Sequence, residues 1–113
     1  MIKENLYKLC LIADKYSEEQ LELAIDHQMI PGGKFDFPKK NYYELCNKYL
    51  DKFSEQIYLL TKNNIEGVDL VFEICQYILP VMMQDEYGIN IGIVVFVITL
   101  LCRKGIMNYI KKI

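Results

Sequence analysis

The chain has 113 residues, with 13 basic and 15 acidic side chains, one histidine, four cysteines and no tryptophan, and 52% of it is hydrophobic. That length makes a single domain, residues 1–113, rather than two. The apolar content excludes a disordered or low-complexity chain, and a formal charge of −2 gives no field that demands nucleic acid or an anionic membrane as partner.

Helical periodicity dominates from the start. Over residues 3–15, Leu6, Leu9, Cys10 and Ala13 recur at the spacing of one helix face. Ser17-Glu18-Glu19-Gln20 is a capping box: the serine oxygen accepts the Gln20 amide and Gln20 reaches back. It opens a second helix to about residue 28, with Leu21, Ala24 and Ile25 inward, and Glu18, Glu19, Glu22 and Asp26 outward. Acidic residues in a first turn suit the positive end of the helix dipole.

Residues 29–40 are irregular. Pro31-Gly32-Gly33 makes a turn, Pro38 forbids helix, and Phe35 and Phe37 alternate with Asp36. Asn41-Tyr42-Tyr43-Glu44 is a second capping start. The helix predicted after it, residues 42–62, aligns Tyr42, Leu45, Cys46, Tyr49, Leu50, Phe53, Ile57 and Leu60 on one stripe, and Asn63-Asn64 stops it. A fourth helix is expected over residues 65–84, with Val68, Val71, Phe72, Cys75, Ile78, Leu79 and Met82 inward. Pro80 lies inside this pattern and should kink or split it. The last helix, over residues 90–112, is apolar nearly all round until Arg103, as befits the central helix of a bundle. The expected fold is all-α, a compact bundle of about five helices around that C-terminal one.

The uncharged run from residue 87 to 102 holds 16 residues. As a helix it would span roughly 24 Å, short of the ~30 Å hydrocarbon layer, so a buried helix is preferred to membrane insertion of residues 89–102. The opening residues carry Lys8 within the apolar stretch and no cleavage site, unlike a signal peptide. Cys10, Cys46, Cys75 and Cys102 are widely spaced, with no C-x-x-C pair. They read as reduced, buried side chains in a cytoplasmic protein rather than a disulfide scaffold or zinc site.

Catalytic chemistry finds little footing. His27 is the only histidine and ends an acidic helix, where it serves as a dipole partner. Pro31-Gly32-Gly33-Lys34 lacks the phosphate-loop spacing. The carboxylate pairs Glu18/Glu22 and Asp69/Glu73 come without a Glu-x-x-His motif, so neither metal nor cofactor is expected. No helix face gathers the basic and amide side chains of a nucleic-acid reader. Charge is nevertheless uneven: residues 1–30 carry −3, 31–62 carry +2, 63–90 carry −5 and 91–113 carry +4. Nine tyrosines are consistent with an interface.

This layout, short helices around a long tyrosine-bearing one with a Ser17-started second helix, resembles small adaptor domains of the death-fold type. It equally resembles small immunity or anti-defence proteins of bacteria and phages. Both are likenesses of shape, and both imply binding to another protein. The expectation is a non-enzymatic protein acting as inhibitor, immunity factor or adaptor, with no small-molecule substrate. A basic protein partner would meet Asp14, Glu18, Glu19, Glu22 and Asp26, with Phe35 and Phe37 as aromatic anchors, and association with a second copy is left open. Membrane association through residues 89–102 is the alternative, and a nucleic-acid-binding regulator a weaker one.

Overall fold

A computed structural model of the protein describes residues 3–28 and 39–110. Six α-helices occur among them: α1 Lys3–Asp14, α2 Glu18–His27, α3 Tyr42–Lys52, α4 Ser54–Lys62, α5 Gly67–Asp85 and α6 Ile91–Lys104, followed by a 3₁₀ turn, Ile106–Asn108. No strand occurs among the described residues. The all-α bundle is as the periodicity predicts.

The centre is α6. Every residue from Gly92 to Leu101 is buried, and the helix packs against α1, α2, α3 and α5. Its all-round apolarity is thus used on every side. Asn90 starts it by accepting the Ile93 N–H at 3.2 Å, and Tyr42 Oη in turn accepts the Asn90 N–H at 3.1 Å. Tyr49, also on α3, donates to Asp85 at 3.3 Å. Two buried tyrosines therefore brace the turn between α5 and α6 at both ends. Their hydroxyls find partners inside the fold, which is the condition for burying a phenol. Burial, with Glu86 and Asp85 nearby, pushes the Tyr49 phenol above its ordinary pKa.

Caps read from sequence form as expected. Ser17 and Gln20 make the reciprocal box at 3.1 and 2.9 Å. Asn41 accepts the Glu44 N–H at 3.1 Å, although Glu44 answers the Asn41 side chain rather than its backbone. At the Asn63-Asn64 stop, Asn64 takes φ +63° and the Ile65 N–H returns to the Leu60 carbonyl at 3.0 Å, a left-handed closure of the Schellman kind.

Three expectations need correction. The 42–62 helix is two helices, broken at Phe53, whose N–H is shared between the Tyr49 and Leu50 carbonyls at 3.3 and 3.2 Å. Before the break α3 packs against both α6 and α5; beyond it α4 packs against α5. There Phe53 stacks on Tyr77 with centroids 5.7 Å apart. Pro80 does not split the fourth helix, since α5 runs unbroken through it. Its ring lies on the exposed side, away from the packed face where it would clash. The last helix ends at Lys104, well before residue 112. Gly105 takes φ +97°, and a Cβ there would lie 2.9 Å from Asn108 Nδ2, so the helix stops at a position only glycine fills easily.

Candidate protein-docking face

The outer face of α2 carries most of the residues that the sequence singles out. Leu21 and Ile25, at 0% and 3% exposure, anchor the helix against α6. Gln28 closes it in a left-handed conformation at φ +53°. The buried Gln28 side chain then pairs with the backbone of Lys40: its Nε2 donates to the Lys40 carbonyl and its Oε1 accepts the Lys40 N–H at 3.1 Å. That amide pairing fixes Lys40 against the end of α2. It also ties the end of α2 to the segment that leads into α3. The far side of α2 is thereby held facing solvent.

Glu18, Glu19 and Asp26 stand exposed on that side, with Glu22 half-buried. Asp14, at the end of α1, is exposed as well. The five carboxylates are not equivalent. Lys104 Nζ meets Glu22 Oε1 at 3.3 Å, and Arg103 approaches the Asp14 carboxylate at 3.9 Å. Adjacent residues at the end of α6 thus bring Asp14 and Glu22 to one place and offset both charges. Glu18, Glu19 and Asp26 make no ion pair among the described residues. Tyr43 of α3 is half-buried beside this face, and burial followed by the Asp26 and Glu22 charges raises its phenol above the ordinary pKa.

Two features of the face escape sequence reasoning. Leu23 is 53% exposed, flanked in sequence by Glu22 and facing the same solvent as Glu18, Glu19 and Asp26. A leucine at an outward position of an otherwise polar helix face was the available signal. The second is the main role of Arg103, which is to cap α1. Its guanidinium donates to the carbonyls of Asp14 at 2.6 Å and Ala13 at 3.5 Å, and to that of Tyr16. These carbonyls belong to the open C-terminal end of a helix, where a cation offsets the dipole. The contacts span nearly the whole chain and have no local signature.

Phe35 and Phe37 lie outside the described residues. His27 is exposed at the end of α2. No group of three His, Cys, Asp or Glu side chains among the described residues is arranged to hold a metal ion. No helix among them is long and apolar enough to cross a membrane; residues 92–101 of the former insertion candidate fill the core instead. The chain matches no known family model, no curated protein sequence and no solved structure.

Proposed function

We propose that the protein works without catalysis, by docking the outer face of α2 onto a basic surface of another protein, as an inhibitor, immunity factor or adaptor in the cytoplasm. The observation that carries this reading is the composition of one exposed face: three carboxylates with no ion pair among the described residues, Glu18, Glu19 and Asp26, on the same short helix as an exposed leucine, Leu23. Unpaired acids raise the rate of encounter with a basic partner and discriminate against acidic ones. Leu23 supplies apolar area to be desolvated on contact, which charge alone does not. Asp14 and Glu22, already offset by Arg103 and Lys104, contribute to the shape of the face rather than to its field. The four free thiols agree with a reducing compartment.

The test is affinity capture from host extract with two variants beside the parent chain. Combined Glu18→Lys, Glu19→Lys and Asp26→Lys should reduce capture of the bound protein by about tenfold or more and abolish its salt dependence. A control reversal on α4, Glu55→Lys, should leave capture unchanged. Equal capture by all three chains would refute the α2 assignment.

A further inference from the structure

The outer face of α1 takes no part in the fold. That helix packs on α5 and α6 and buries Leu6, Cys10 and Ala13. Its other side presents Lys8 and Lys15 to solvent, with Leu11 and Ile12 between them. Neither lysine makes an ion pair among the described residues, and the two aliphatic side chains are 42% and 46% exposed. Covering such a pair recovers the cost of hydrating it, and lysines on either side call for acidic groups opposite.

An acidic face of the same build stands on α2. There Glu19 and Asp26 flank the exposed Leu23. Lys8, Ile12 and Lys15 are separated by four residues and then three, and so are Glu19, Leu23 and Asp26. In each helix the two charges therefore share one stripe, about 10.5 Å apart along the axis, with the apolar residue between them. The charges are opposite and the spacing is the same. Laid parallel, Lys8 meets Glu19, Ile12 meets Leu23 and Lys15 meets Asp26. Laid antiparallel, Lys8 meets Asp26, Leu11 meets Leu23 and Lys15 meets Glu19. Within one chain the stripes do not meet, because both helices rest on α6 with these sides turned to solvent.

We propose that a second copy of the chain covers both faces, α1 of each copy lying on α2 of the other across a two-fold axis. Under that symmetry, placing α1 on the other copy's α2 also places α2 on the other copy's α1. One contact between helices of about three turns is small beside the ~800 Å² per chain of a stable interface, and the axis makes it twice. A net charge of −2 sets little repulsion between copies. Resting on the reading of α2 as a face for basic side chains, the dimer adds regulation to it. The pair is a stored form in which α2 is covered, and an outside basic partner has to displace α1 to reach it. Apparent affinity for that partner therefore falls as the chain is concentrated.

The experiment follows the mass of the full chain by sedimentation equilibrium from about 1 μM to about 1 mM. It should climb from 13.3 kDa to twice that value, and about 1 M salt, which screens beyond ~3 Å, should raise the dissociation constant tenfold or more. Lys8→Glu with Lys15→Glu should stay monomeric over the same range, as should Glu19→Lys with Asp26→Lys, each with helical content checked by circular dichroism. Mixed in equal amounts, the two variants should pair one to one, because every reversed face again meets its opposite. A parent chain monomeric at the highest concentration would overturn the proposal. So would a dimer indifferent to both reversals, an assembly larger than two chains, or folded variants that ignore each other when mixed. Lys8→Glu with Lys15→Glu leaves α2 intact, so it should capture an outside partner at least as well as the parent does. A dimer with nothing captured sinks the outside partner alone, and a monomer that captures one sinks the dimer alone.

Discussion

Single side chains that reach across the chain carry much of the local stability. Arg103 satisfies carbonyls of Ala13, Asp14 and Tyr16 at once, a task suited to the fixed fork of a guanidinium. Arg103→Ala should therefore lower unfolding stability by about 1–3 kcal/mol, and Arg103→Lys should recover only part of it, read from urea midpoints. Ser17→Ala removes one half of the capping box and should cost about 1 kcal/mol. Cys46 gives the fold a pH limit. Burial pushes its thiol up to about 12 from an ordinary value of 9.0. Below pH 9 the thiol is neutral in folded and unfolded chains alike, and stability is unaffected. Above it the unfolded chain releases the proton first, so stability should fall with rising pH, by about 1.4 kcal/mol per unit from this group until the folded pKa is reached. Urea titrations between pH 8 and 11 should show at least that slope, and Cys46→Ala should reduce it by about that share, the part from Cys102, pushed up to about 12 as well, remaining.

Helices were legible in the sequence wherever the signal was local. The Ser17 and Asn41 caps, the Asn63-Asn64 stop and the apolar circumference of α6 are each decided within a few residues, and each formed as read. The break at Phe53 had no such mark, for neither glycine nor proline interrupts the stripe. Its setting is tertiary, since α3 lies against α6 as well as α5, whereas α4 packs against α5. The end at Gly105 was hidden because Ile106 and Ile110 are buried too, so the apolar pattern outlasts the helix. On the outer face of α2, the acids were legible from their spacing, but their unequal pairing was not, because Arg103 and Lys104 lie far away in sequence. Two substitutions follow at this scale. Pro80→Ala restores an N–H for the Gln76 carbonyl on the exposed side of α5. A gain of up to ~3 kcal/mol in helix propensity is set against ~1 kcal/mol from a freer unfolded chain, so the urea midpoint should rise. Gly105→Ala forces a side chain into a φ of +97° and onto Asn108, and should lower stability by about 1–3 kcal/mol.

The whole molecule is organised around α6, and its stability should be graded accordingly. Amide exchange is expected to be slowest through residues 92–101, buried without interruption, and fastest in α4, where Ile57 is the only buried residue. Exchange faster in α6 than in α4 would contradict the arrangement. Ile98, at 0% exposure, is surrounded by the other helices, and Ile98→Ala should cost about 2–5 kcal/mol in denaturant titrations. The position of α6 in the chain then governs how the protein is born. Five amphipathic helices leave the ribosome before the one that covers their inner faces. Until it emerges, those faces have no common partner, and the nascent chain is a client for any chaperone that holds apolar surface. Closure therefore comes as one late event, in which residues far apart in sequence must find one another.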